Sequence, residues 1–212
     1  MKDFPVFTTE FGVASLLLKE VPYREEAYIV IQSACQPEEL LKECVSFCRM
    51  VGAEKIYARG HEIVESYPIH CAVLEMRGLA EPDPEKTASL FPVTDRTVGE
   101  WRKLINSRMQ GVDNAATLES RDEKKILESS GACFIHNGGD LLGLGWLEDG
   151  TVQTVAAVKP GAGETVMHSL MTLAEGERLR LEVASTNERA IRLYERLGFL
   201  PVREIFRWYR VL

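Results

Sequence analysis

The chain has 212 residues, of which 45% are apolar and 27% charged, and its formal net charge is −7 at pH 7. This balance is typical of a folded globular protein and excludes a disordered chain. The acidic charge disfavours nucleic acid as a partner, because binding phosphates requires clustered Lys and Arg.

The start of the chain and its cysteines predict a cytoplasmic protein. No basic segment followed by an apolar stretch opens the chain, and no apolar run reaches about 20 residues, so we expect no secretion signal and no membrane span. The five cysteines form no Cys-x-x-Cys pair, which favours reduced thiols. Cys44 and Cys48 stand one helical turn apart, but thiols on an apolar helix face are more often buried than metal-bound. We therefore expect no metal.

A proline-rich segment over 78–92 divides the chain into two predicted parts. The predicted units are an N-terminal α/β domain over 1–80, a linker over 81–89 and a second domain over 90–212. In the first part, strands are predicted over 27–33, 55–58 and 71–76, and a helix over 37–51. Pro37 begins this helix and Gly52 ends it.

The second part carries clearer turn signals. Asn137-Gly138 and Asp149-Gly150 predict tight hairpins, because these dipeptides readily adopt a positive φ. Thr94 or Asp95 is predicted to cap the first helix. The predicted elements are helices over 97–112 and 117–128, strands over 132–136, 141–147 and 151–158, a helix over 165–174, a strand over 178–183, a helix over 188–197 and a closing strand or strand pair over 202–211.

The most specific stretch is Leu181–Phe199, which reads Leu-Glu-Val-Ala-Ser-Thr-Asn-Glu-Arg-Ala-Ile-Arg-Leu-Tyr-Glu-Arg-Leu-Gly-Phe. It resembles the C-terminal strand–helix signature of the GCN5-related N-acetyltransferases (GNATs), which has Asn, Ala, Leu-Tyr-Glu and Gly-Phe at this spacing. The order of elements over 90–212 also matches that family. The resemblance implies an α/β fold of the acyl-CoA N-acyltransferase type, with a central mixed, mostly antiparallel sheet flanked by helices and a smaller α/β domain before it.

The N-terminal part loosely echoes the second. Its strand–helix–strand order over 28–58 resembles that over 152–183, which favours a degenerate copy of the same fold. It lacks the Asn-x6-Tyr signature and a Gly-x-Gly loop. We expect this part to shape the substrate cleft or to build a homodimer.

The resemblance implies that Tyr194 is the catalytic general acid. Attack of an amine on a thioester expels a thiolate. A phenol of pKa about 10 can donate a proton to a thiolate whose acid has a pKa of about 8.5 when the two lie within hydrogen-bond reach. The alternative is an aromatic side chain packed under the sheet beside Leu193 and Leu197.

Asn187 has two interpretations. Asn187, Ala190 and Tyr194 share one helix face at spacings of three and seven residues. The resemblance implies that an Asn at this place hydrogen-bonds the pantetheine arm of CoA or nearby backbone. Alternatively, Ser185 or Asn187 only caps the helix, with Ser185 and Glu188 forming a capping box.

The loop Lys159–Val166 is the predicted phosphate site. It keeps a glycine-rich strand-to-helix turn but lacks the leading Gln or Arg of the family and is shorter. Glycines expose successive N–H groups and a helix N-terminus favours pyrophosphate, whereas Glu164 opposes an anion. The alternative is a plain glycine turn. The backbone of 156–158 is expected to pair with the pantetheine amides. The predicted cofactor-binding residues are Ala156, Ala157, Val158, Gly161, Ala162, Gly163, Glu164, Thr165, Val166, Asn187, Ala190 and Tyr194.

The general base is not evident from the sequence. Related enzymes often place a Glu in the third strand, but 152–157 has no acid and Thr154 occupies roughly that place. Glu148 and Asp149 are predicted to lie too far away, and structural roles are favoured for His136 and His168. The expected activity is transfer of acetyl from acetyl-CoA to a primary amine of a small molecule or peptide. Two alternatives stay open: an inactive acyl-CoA-binding or regulatory module, and an acyltransferase for another acyl group.

Overall fold

The structure is a computed structural model that describes residues 5–212, so residues 1–4 of the predicted N-terminal domain lie outside the described part. No helix in the described part is long and apolar enough to cross a membrane. The strands are β1 Val6–Thr9, β2 Gly12–Leu17, β3 Glu26–Ala34, β4 Lys55–Arg59, β5 Ile69–Leu79, β6 Ser89–Pro92, β7 Ala132–Asn137, β8 Asp140–Glu148, β9 Thr151–Ala157, β10 Arg178–Ala184 and β11 Leu200–Arg210. The helices are α1 Val21–Arg24, α2 Pro37–Met50, α3 Val98–Met109, α4 Glu123–Glu128, α5 Gly163–Met171 and α6 Glu188–Arg196.

The chain folds as two compact units. The first contains the described residues up to Ala72 together with Glu204–Leu212, and the second is Val73–Arg203. This division differs from the predicted linker at 81–89, because β5 pairs with β10 from Val73 to Leu79. The end of β11 pairs with β4 and therefore belongs to the first unit. Neither pairing joins neighbouring segments, so local composition does not reveal it.

In the first unit, α2 packs on a sheet whose strands run in the order β1-β2-β3-β4-β11. Strands β3 and β4 are parallel and are joined by α2, the same strand–helix–strand order as β9, α5 and β10. Cys44 and Cys48 of α2 lie in the core. Burial raises the pKa of the Cys44 thiol to about 12 and that of Cys48 to about 11, so both thiols stay protonated. The described residues contain no cluster of three His, Cys, Asp or Glu that could hold a metal.

The second unit is built on a sheet in the order β6-β7-β8-β9-β10-β5, with the start of β11 beside β5. Strands β9 and β10 are parallel, while the β6–β7, β7–β8, β8–β9 and β5–β10 pairs are antiparallel. This is the mixed, mostly antiparallel sheet implied by the sequence, so the predicted fold class is confirmed.

Two glycines of β8 allow α5 to lie close to the sheet. A Cβ at Gly143 would stand 2.4 Å from Val166 Cγ2, and one at Gly145 would stand 2.8 Å from Leu170 Cδ1. Val166 and Leu170 are one helical turn apart and both are buried. The alternating glycines of β8 therefore position α5, whose N-terminus forms part of the candidate site.

Two predicted boundaries are wrong for local reasons. The helix predicted over 117–128 is an α-helix only from Glu123, because a capping box between Glu119 and Asp122 starts a short 3-10 turn there. The N-cap of α3 is Thr97, not Thr94 or Asp95, and the Thr97 hydroxyl accepts a hydrogen bond from the Thr94 N–H at 3.0 Å. Strands β1, β2 and β6 were not predicted.

Candidate functional site

The site begins where β9 and β10 separate. These two parallel strands pair at two positions of the described chain, Thr151 with Arg180 and Val152 with Leu181. Beyond them, β9 continues beside β8 as far as Ala157, and β10 continues beside β5. The β8–β9 register skips Gln153, which marks a bulge where the two parallel strands begin to diverge. A slot therefore opens along β9.

The backbone of β9 offers hydrogen-bonding groups to this slot at alternate residues. The N–H of Val158 donates to Leu142 O at 2.7 Å, so the Val158 amide is already used on the β8 side. Because antiparallel pairing alternates, Ala156 also directs its backbone toward β8, whereas Val155 and Ala157 direct theirs toward β10. Of the predicted segment 156–158, Ala157 is the residue whose amide can meet a ligand in the slot.

The loop after β9 leads into an open helix N-terminus. Gly161 has φ +84°, and the Ala162 N–H donates to Lys159 O at 3.2 Å. Ala162 is the N-cap of α5 and supplies no side-chain cap. The first-turn N–H groups of Gly163, Glu164 and Thr165 therefore remain available to an anion. The N–H of Val166 differs, because it donates to Ala162 O at 2.9 Å, and its side chain packs in the core.

The negative charge of Glu164 is neutralised within the unit. Lys86 Nζ lies 2.7 Å from Glu164 Oε1, and this hydrogen bond and ion pair lower the pKa of the Glu164 carboxyl. The charge of Arg196 on α6 acts in the same direction, more weakly. Lys86 belongs to the segment predicted as a linker, so its place at the α5 N-terminus was not predicted.

His168 and His136 have contacts consistent with structural roles. His168 is buried, and its Nδ1 accepts a hydrogen bond from the Asp83 N–H at 3.1 Å. Its Nε2 lies 4.0 Å from Glu164 Oε1. His136 packs edge-on against Phe91, with ring centroids 5.2 Å apart.

Asn187 caps helix α6. Its Oδ1 accepts a hydrogen bond from the Ala190 N–H at 3.3 Å, so the capping residue is Asn187 and not Ser185. The side-chain NH₂ of Asn187 is not used by this bond and can donate to a ligand. Ala190 is partly buried and packs with Tyr194 against the core of the second unit.

Tyr194 presents an unused hydroxyl. Its ring packs against Phe199, with centroids 6.1 Å apart. The hydroxyl has no hydrogen-bond partner among the described residues, which argues against a purely structural role for it. Burial raises the pKa of Tyr194 to about 12, so the phenol keeps its proton at neutral pH.

Carboxylates are scarce on the two strands that flank the slot. Strand β9 has none, and Thr154 lies opposite Trp146 of β8. Glu148, at the end of β8, is held by Lys125 at 3.1 Å. Glu182 is the carboxylate of β10 and follows directly after the last pair with β9. It is exposed on the face opposite the buried Leu181.

Residues 157–199 match the family model for the acetyltransferase (GNAT) family. A comparison with curated protein sequences gives no match. Among solved structures, a conserved protein of unknown function from Staphylococcus epidermidis has a TM-score of 0.56 at 10% identity, covering 99% of this chain and 94% of its own. A GCN5-related N-acetyltransferase from Sphaerobacter thermophilus has a TM-score of 0.53 at 11% identity, covering 93% and 75% of the two chains. One from Kribbella flavida has a TM-score of 0.52 at 14% identity, covering 98% and 88%. These likenesses show a shared fold.

Proposed function

We propose that the protein, whose residues 157–199 match the GNAT family model, transfers the acetyl group of acetyl-CoA directly to a primary amine. The observation that carries this proposal is the slot between β9 and β10, where β9 leads into the open N-terminus of α5. The unpartnered Tyr194 hydroxyl belongs to α6, the helix that follows β10. These three features match the three parts of the co-substrate: the pantetheine amides, the pyrophosphate and the thioester sulfur.

The proposed binding mode uses the hydrogen-bonding groups that the fold leaves available to a ligand. The pantetheine lies along β9 and pairs with the backbone of Ala157, as an added strand would. The pyrophosphate accepts hydrogen bonds from the first-turn amides of α5, where the ion pair with Lys86 neutralises the charge of Glu164. The Asn187 NH₂ donates to a pantetheine carbonyl while its Oδ1 keeps the helix cap.

In the proposed reaction, the amine nitrogen attacks the thioester carbonyl carbon. An N–C bond forms, the C–S bond breaks, and the sulfur takes a proton from the Tyr194 hydroxyl. A buried phenol is a weaker acid than a free one, but the same surroundings also raise the pKa of the leaving thiol. Burial therefore shifts the proton affinities of the phenol and the thiol in the same direction.

Glu182 is our candidate for the proton acceptor on the amine side. It is the carboxylate of the two strands flanking the slot, and its exposure allows an ordered water to connect it to the amine. A carboxylate at this place substitutes for the missing acid of β9. Tyr194 then recovers its proton from solvent after the product leaves.

A second candidate function is an acyl-CoA-binding module without turnover, favoured by the lack of a carboxylate on β9. Calorimetry with acetyl-CoA tests binding, and thiol release across polyamines, amino acids, aminoglycosides and peptide N-termini tests transfer. Propionyl-CoA and butyryl-CoA in parallel test the acyl group. Binding with no amine-dependent release supports the module, and no binding contradicts both.

A further inference from the structure

The first unit carries an arginine stacked on aromatic rings. Arg59 lies on β4, where Ala58 pairs with Tyr209 of β11, and continuing this antiparallel register by one residue brings Arg59 opposite Trp208. Its guanidinium carbon stands 4.4 Å from the ring centroid of Phe206 and 5.1 Å from that of Trp208. Stacking of this kind holds the flat face of a guanidinium and leaves its N–H edges free to bind.

These rings belong to a larger aromatic surface on the sheet face opposite α2. Trp208 packs edge-on against Tyr28 at 4.9 Å, and Tyr28 lies 5.2 Å from Tyr57 between centroids. Tyr57 in turn stacks on His70 at 4.0 Å with an interplanar angle of 19°. Interlocked rings restrict one another, so the surface beneath Arg59 is rigid and preorganised.

The charge of Arg59 has no carboxylate partner among the described residues. Its Nε is fully covered and makes no hydrogen bond, and burial lowers the pKa of the guanidinium. The two Nη groups form the edge that still reaches solvent. Glu26, at the other end of the β3–β4 pair, accepts from the Tyr28 hydroxyl at 2.9 Å and pairs with Lys55 at 3.4 Å. A partly desolvated cation without a counter-charge is destabilising unless a ligand compensates it.

We propose that Arg59 is the anchor of an oxyanion-binding site on the first unit, and that it binds a carboxylate or phosphate group end-on. Both Nη groups donate to two oxygens of the ligand, while Phe206 and Trp208 hold the guanidinium plane. Two parallel N–H···O bonds from a fixed fork are the arrangement that Arg provides and Lys cannot. The site lies in the first unit and does not depend on acetyl transfer.

The test is a ¹H–¹⁵N titration of the arginine Nε–H signals of the whole protein. The covered Nε–H of Arg59, identified by its loss in Arg59→Lys, reports on its own guanidinium. The probes are benzoate, acetate and inorganic phosphate at constant ionic strength, with chloride as the reference anion. Arg207, which pairs with Glu204 on β11, is the internal control.

We expect a saturable shift of the Arg59 signal and none of the Arg207 signal. Saturation by benzoate and acetate alone identifies a carboxylate site, and saturation by phosphate alone identifies a phosphate site. Arg59→Lys, which keeps the charge, should weaken ligand-induced thermal stabilisation by about tenfold in ligand concentration, because the fork is lost. The proposal is overturned if no probe shifts the Arg59 signal more than chloride does. It is also overturned if Arg59→Lys and wild type respond alike.

Discussion

Lys86 Nζ lies 2.7 Å from Oε1 of Glu164, although 78 residues separate them in the chain. Glu164 stands in the first turn of α5, where its charge would otherwise repel a bound pyrophosphate. The ion pair therefore makes this helix N-terminus compatible with an anion.

Lys86→Met should weaken acetyl-CoA binding by about two- to fivefold, the range expected for one charge at a helix terminus. The cause is the unpaired Glu164 carboxylate beside the phosphates. Calorimetry of Lys86→Met against the double variant Lys86→Met/Glu164→Gln checks this, since the double variant should regain affinity. If it stays as weak as the single variant, Lys86 contacts the phosphates itself and the neutralising role is wrong.

The close packing of α5 on β8 predicts how substitutions of the β8 glycines change the free energy of unfolding. Gly145→Ala should lower the free energy of unfolding by about 1–3 kcal/mol, because its Cβ would meet Leu170 Cδ1 at 2.8 Å. Leu170→Val in the same chain should recover part of that loss. Gly143→Ala is the matched control: its Cβ would also meet the backbone oxygen of Ala156 at 2.6 Å, so trimming Val166 should not rescue it. Denaturant unfolding that finds equal rescue at both glycines contradicts this packing.

The two roles of Asn187 can be separated by one substitution. Asn187→Ala should cost about 1 kcal/mol of stability by removing the cap, and it should also weaken acetyl-CoA binding. Asn187→Ser keeps a capping oxygen but has no NH₂ donor. We expect thermal melts of Asn187→Ser to approach wild type while its acetyl-CoA affinity stays low. If Asn187→Ser binds acetyl-CoA as tightly as wild type, Asn187 only caps the helix and does not contact the ligand.

The features that the sequence predicts best depend on residues that lie close together in the chain. Asn187, Ala190 and Tyr194 lie within one helix turn or two of each other, and the hairpin at Asp149-Gly150 depends on the two dipeptide residues, whose φ values are +48° and +67°. The division of the described chain at Ala72 and the place of Lys86 at α5 depend on contacts between distant segments. Strand β5 pairs with β10 across about half the chain, and no periodicity in either strand encodes its partner.

Glu182 is tested by turnover. Glu182→Gln should lower amine-dependent turnover by about 10²-fold with acetyl-CoA affinity unchanged, because it removes only the proton acceptor. Glu177→Gln, an exposed acid just before β10, removes the same charge and should leave turnover as it was. Equal rates for Glu182→Gln and wild type would assign the proton to water or backbone instead.

The most direct test of the account is the steady-state rate of amine-dependent CoA release by wild type and Tyr194→Phe. The substitution removes a hydroxyl that has no partner among the described residues, so thermal stability and acetyl-CoA affinity should barely change. We predict saturable turnover of an amine by wild type and a fall in kcat of about 10²–10⁴-fold in Tyr194→Phe. Tight acetyl-CoA binding with no turnover of any amine, or equal kcat for the two proteins, would contradict the account.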